Sequence, residues 1–205
     1  NCKGRRVLEL GCGIGSDAEQ FVRHGAEYVG IDLSSRSIDL CEQRFAVMGL
    51  DAEFYHMDAG DSLRVASLGQ FDMVYACGVL HHYPNVNQVV SNAYASLVSG
   101  GEFRFLVYAR NSWKWAMIQS GLDQFEAQDN CPYARVYSQE EIQKLLDGHF
   151  DIKNIKQDYC FMYNVEQYKQ GNYVLEPWFV EMSDAQRHAI NQNLGWHLSV
   201  IAAKQ

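Results

Sequence analysis

No apolar run in the 205-residue chain approaches the ~18 residues that span a bilayer, and the N-terminus lacks the basic-then-apolar order of a signal peptide. A soluble, cytoplasmic protein with no membrane partner is expected. There is no basic stripe or tail either. The net charge of −8 is spread over both halves of the chain, which argues against a surface tracking nucleic-acid phosphates. The six cysteines (Cys2, Cys12, Cys41, Cys77, Cys131, Cys160) include no C-x-x-C pair, so reduced thiols are expected in place of a disulfide framework or zinc site. H-E-x-x-H is absent and "HMD" at 56–58 is too little for a ligand set, so no metal is expected. Repeats and low-complexity tracts are missing as well. With 47% hydrophobic and 20% charged residues, the chain suits one folded unit. It opens at Asn1 in place of Met, barely a turn before the first strand candidate, and so reads as a fragment lacking a segment that closes over a ligand.

Two kinds of pattern alternate along the first 110 residues. Strand candidates are 6–10, 27–31, 53–57, 71–76 and 102–108. Between them lie helical spacings. Ile38, Cys41, Phe45 and Met48 recur at i, i+3, i+7, i+10, with Ser34 or Ser35 as cap and Gly49 as stop. Val86, Val89, Val90, Ala93 and Leu97 repeat the pattern before a Gly100-Gly101 turn. This alternation predicts an α/β fold, a doubly wound and mostly parallel sheet with helices on both faces. Beyond residue 110 the rhythm breaks, and 111–180 hold 13 aromatics against 12 in 1–110. Ser138 with Glu141, and Ser183 with Gln186, mark two capped helices. Residues 149–157 read as a sixth strand and 196–203 as the last. The expected organisation is a single domain, with a ligand-binding core at 1–110 and mostly covering segments at 111–195.

In such sheets ligands sit beyond the carboxyl ends of the strands, where strand order reverses. "VLELGCGIGSDAEQF", residues 7–21, places Gly11, Gly13 and Gly15 there, with a helix starting at Ser16 and Asp17. Asp32 ends the second strand, where a carboxylate can take both ribose hydroxyls, and Asp58 ends the third. The spacing is G-x-G-x-G, not the G-x-G-x-x-G of dinucleotide sites. A carboxylate at Asp17 would repel a pyrophosphate yet accept from an ammonium, and Glu9 adds negative charge nearby. A ligand with adenosine at one end and a cationic amino acid at the other fits better than a dinucleotide. A nicotinamide-dependent oxidoreductase is therefore the second choice.

The series "VLELGCGIG", "VGIDLS", "HMDA", "FDMVYACGVLHH" and "LVSGGEFRF" resembles the successive motifs of the Rossmann-like S-adenosylmethionine-dependent methyltransferases, over residues 5–110. The "GVLHH" stretch is similar to the ubiquinone and menaquinone C-methyltransferase branch. The resemblance implies that Gly11, Gly13 and Gly15, with Cys12 between them, line the methionine part of S-adenosylmethionine. It also implies that Asp32 holds the ribose, Leu33 packs on the adenine, Asp58 and Ala59 receive its amino group, and the Cys77 carbonyl meets the ammonium. A seven-stranded sheet whose last strand is antiparallel is implied too. Cys12 and Cys77 also suit small packed thiols, and Glu9 a structural hydrogen bond.

A sulfonium carries its own activated methyl group, so alignment of the acceptor dominates and a base matters only for a protonated acceptor. His81 and His82 are the candidate base, against the alternative that they orient their loop. "LVYARNSWKW" brings Tyr108, Arg110 and Trp113 together, and with Tyr137 they are candidates for the wall of an acceptor pocket, Arg110 for an anion. The alternative is that these aromatics are the core of the covering part. A small-molecule acceptor is expected, with oxygen, nitrogen and carbon all open. A silent cofactor-binding protein is the third reading, and oligomeric state is left open.

Overall fold

The computed structural model describes residues 2–123 and 133–205, so Cys131 and part of the expected covering segment lie outside the described residues. The first half alternates strictly: β1 (Arg6–Leu10), α1 (Ser16–Arg23), β2 (Glu27–Asp32), α2 (Ser35–Met48), β3 (Glu53–His56), α3 (Ser62–Ser67), β4 (Phe71–Cys77), α4 (Val86–Ser96), β5 (Leu97–Tyr108). Then come α5 (Trp113–Gln119), α6 (Gln139–Leu146), β6 (Phe150–Asp158), α7 (Val165–Tyr168), α8 (Pro177–Val180), α9 (Asp184–Leu194) and β7 (His197–Lys204). The strands form one sheet in the order β3-β2-β1-β4-β5-β7-β6. β7 runs antiparallel to both of its neighbours, as the family resemblance implies.

Strand alternation explains how the sheet is covered on both faces. Leu8, Val74 and Phe103 pack with Val89, Val90 and Ala93 of α4 and Ile142 and Leu146 of α6. Their neighbours Val7 and Met73 point the other way, onto Ala18 of α1 and Phe45 of α2. Strand order therefore reverses between β1 and β4, and the crevice beyond their carboxyl ends is the place for a ligand.

Local signals act as the residues dictate. The Ser34 hydroxyl accepts from the Ser37 N–H to start α2, a cap contributing about 1 kcal/mol, and Gly49 closes it in the left-handed region. Ser138 with Glu141 and Ser183 with Gln186 both form capping boxes. One expectation is corrected. Instead of a turn at Gly100-Gly101, β5 already begins at Leu97, opposite Phe71, and the register slips between Phe71 and Met73. Gly100 takes φ 74 within the strand, and a Cβ on Gly101 would stand 2.9 Å from the Val98 carbonyl oxygen, so the two glycines make an irregular strand. Among the described residues no helix is long and apolar enough to cross a membrane.

Candidate active site

The loops after the first four strands enclose a cavity of about 530 Å³. Each strand end contributes: Gly11 after β1, Asp32 and Leu33 from β2, Asp58 and Ala59 after β3, and Cys77 from β4. The glycine turn is held against β2 by the Gly11 and Cys12 N–H groups, which donate to the Ile31 carbonyl at 2.8 and 3.0 Å. Gly11 has φ 74, and a Cβ there would come within 2.4 Å of Val79 in the loop after β4. A side chain at this position would push that loop away from the turn.

Asp32 organises the mouth. One carboxylate oxygen accepts from the Gly13 N–H at 2.9 Å, the other from the Ser34 N–H at 2.8 Å, so it sets the turn and the entry to α2 together. Leu33 beside it is 66% exposed, an apolar side chain standing at the cleft. Asp58 accepts from the Gly60 N–H and from the Tyr83 hydroxyl, both at 2.7 Å. The Ala59 carbonyl is fixed from behind by the buried Asn92 amide at 2.8 Å. Burial pushes the Cys77 thiol above its ordinary range, so it stays protonated.

Five of the cofactor-binding candidates are not among the residues lining this cavity. Gly13 and Gly15 shape the turn from outside it. Cys12 packs with Ile38 and Cys41, and its thiol is pushed up by the hydrogen bond with Cys41 and by burial. Glu9 is 3% exposed and takes a short hydrogen bond from the Tyr28 hydroxyl. Desolvation raises its pKa to about 8, so it is largely neutral at pH 7 and does not supply the negative charge expected of it. Asp17 accepts from the Tyr75 hydroxyl at 2.9 Å and lines a separate hollow of about 220 Å³ with Cys2, Phe21 and His24.

The adjacent histidines part company. A 3₁₀ turn, Leu80–His82, carries them, and its tight pitch sends one ring inward and one to the cavity. His81 is fully buried, stacked on Tyr108 at 3.7 Å between ring centres, with neither ring nitrogen hydrogen-bonded among the described residues. Desolvation lowers its pKa to about 2, so it is a poor base and is corrected to a packing residue. His82 lines the cavity. Its Nδ1 lies 3.0 Å from the Tyr133 carbonyl, which can only accept, so Nδ1 donates to it.

The acceptor-wall candidates lie outside this cavity. Tyr108 is sandwiched between His81 and Trp196, the latter ring centre 4.2 Å away. Trp113 is buried and donates from Nε1 to the Tyr159 carbonyl at 3.1 Å. Tyr137 is buried beneath the Arg135 guanidinium. Arg110 is not left open for an anion, because it holds Glu141 through Nε and Nη2 and donates to the Val136 carbonyl. Sequence reasoning missed Tyr83, Val79 and Pro84, which line the cavity from the loop after β4. The signal was in hand: a polar aromatic and a proline directly follow the two histidines.

Comparison with known proteins agrees with this architecture. Residues 8–103 match the family described as "Methyltransferase domain". The chain is 33% identical over 118 residues to a ubiquinone biosynthesis O-methyltransferase of Bordetella avium, covering 57% of this chain and 48% of that protein. It is 31% identical over 121 residues to the Escherichia coli protein of the same name, covering 58% and 50%. The chain thus spans about half the length of the curated relatives it matches. The fold is shared with magnesium protoporphyrin IX methyltransferase from Synechocystis with bound SAH, at 17% identity and a TM-score of 0.67, covering 100% of this chain and 76% of that one. The quinone branch that "GVLHH" suggests is met by relatives named for O-methylation. In its matched domain, its relatives and its sheet order, the chain is similar to the Rossmann-like S-adenosylmethionine-dependent methyltransferases.

Proposed function

We propose that the protein transfers a methyl group from S-adenosylmethionine to a small-molecule acceptor in the cytoplasm. The observation that carries this reading is one cavity bordered in strand order by a bare turn, a carboxylate, an exposed apolar side chain, and an acceptor beside an N–H. That row matches methionine, ribose diol, adenine face and adenine edge. Asp32 would hold the diol, Leu33 would cover the base, and Asp58 with Ala59 would read its edge. The groups fit: the pairing edge of the base offers one donor and one acceptor, and the Tyr83 hydroxyl already makes that same pair of contacts. When bound, the cofactor supplies a methyl group activated on a sulfonium. Residues 1–110 act as the cofactor-binding core and 111–195 mostly cover the acceptor side.

Displacement requires the acceptor atom in line with the departing sulfur, and holding partners so contributes ~7–11 kcal/mol. The chain's part is therefore chiefly to position and exclude water. His82, on the cavity wall, is the candidate base for an acceptor hydroxyl. The relatives' name favours an oxygen acceptor. Nothing in the acidic balance favours nucleic acid.

Titration calorimetry tests the cofactor. S-adenosylhomocysteine should bind and NAD should not; the reverse result refutes the reading. Methyl-labelled cofactor incubated with a metabolite extract, followed by mass spectrometry, should then put the label on a hydroxylated small molecule.

A further inference from the structure

The Tyr83 hydroxyl sits on the two groups assigned to the adenine edge. It accepts from the Ala59 N–H at 3.2 Å and donates to Asp58 Oδ1 at 2.7 Å. Adenine presents the same complement on one side, with N1 as acceptor and N6–H as donor. A phenol oxygen is thus a one-atom copy of the base's pairing edge, delivered by the chain's own loop. Its anchoring differs from that of its partners. Asn92 anchors Ala59 through its carbonyl, and the Gly60 N–H fixes Asp58, whereas Tyr83 and Pro84 lie in the short connection between the 3₁₀ turn and α4. When one of the three must yield, it is the tyrosine.

We infer that Tyr83 is a built-in competitor for the adenine subsite, whose hydroxyl must surrender both contacts before the base is seated. The inference rests on the methyl-transfer reading, which assigns that subsite. Its consequence is an affinity lowered by the fraction of molecules in which the tyrosine has withdrawn, since the apparent dissociation constant is the intrinsic one divided by that fraction. The opening step also limits association. At high ligand concentration the observed binding rate should level off at the rate of withdrawal.

The test compares wild type with Tyr83→Phe, which keeps the ring and deletes the competing oxygen. S-adenosylhomocysteine should bind the variant roughly 5- to 30-fold more tightly, as loss of two ordinary hydrogen bonds allows, and the plateau in stopped-flow rate should vanish. The counterpart with a 6-oxo base should gain by the same factor, because the reading pair itself is unchanged. Equal or weaker binding by a folded variant overturns the role of Tyr83 alone. Failure of wild type to bind S-adenosylhomocysteine overturns both this role and the methyl-transfer reading. Should the variant not fold, 3-fluorotyrosine at position 83 gives the answer in fluorine NMR: its resonance should move on saturation with S-adenosylhomocysteine, and an unmoved resonance overturns the inference.

Discussion

Asp32→Ala separates two jobs that one carboxylate performs. Within the protein it accepts from the Gly13 and Ser34 N–H groups, at 2.9 and 2.8 Å. Hydrogen bonds to a charged group contribute about 1.5–3 kcal/mol each. Water reaches both donors in the variant, so the loss of stability should be smaller than the sum, about 1–3 kcal/mol. At roughly 2–4 °C per kcal/mol for a chain of this size, melting should fall by about 2–12 °C. Ribose contacts come on top. Their loss should weaken S-adenosylhomocysteine by roughly 2–4 kcal/mol, or about 30- to 1,000-fold. A cycle with the 2′,3′-dideoxy analogue of the ligand distinguishes direct contact from distortion of the turn. Removing the diol should cost wild type about 2–4 kcal/mol and the variant close to nothing. If both proteins lose the same affinity with the diol, Asp32 shapes the turn without touching the sugar and the assignment fails.

Four further outcomes follow from the geometry. Glu9 keeps its proton up to about pH 8 when folded, against 4.5 for the free side chain, so between those values the native state binds the extra proton and stability falls as pH rises. Glu9→Gln should remove that slope, and urea melts at pH 5.5 and 9 that run parallel for the two proteins would count against it. Gly11→Ala should cost about 1–3 kcal/mol, and more than Gly13→Ala, because both residues have positive φ but only the first would strike Val79, at 2.4 Å; denaturant midpoints decide the order. For a hydroxyl acceptor, His82→Asn should lower turnover by about 10²–10⁴. His81→Phe should leave the pH–rate midpoint where it is, since the buried imidazole is already neutral above about pH 2.

The cofactor half was legible because its chemistry is local. A bare turn after a buried strand and a carboxylate at the next strand's end are neighbours in sequence as well as in space, and Asp32 and Gly13 do meet. Gly13 and Gly15 shape the turn without lining the cavity and Asp17 lines a separate hollow, because spacing fixes the turn but not which of its atoms face the ligand. The acceptor side was less legible for a different reason. Aromatic side chains build cores and walls alike, and only the fold reveals that Tyr108 is clamped between His81 and Trp196. Arg110 was read as available because its partner is 31 positions away. Glu141 was itself recognised, as the capping residue of α6, and it holds Arg110 as well. With His81 and His82, adjacency in sequence said nothing about orientation, since a 3₁₀ turn rotates successive side chains by about a third of a circle.

The order β5-β7-β6 has a consequence for how the molecule is made. Among the described residues β6 pairs with no strand except β7, yet it is synthesised first and must wait for a partner encoded about 40 residues later. During that interval its backbone groups are open to any other nascent strand, and Lys153 and Lys156 along it are charges of the kind that discourage such pairing. The parallel half from β1 to β5 can assemble meanwhile, so the antiparallel edge is the last part of the sheet to close.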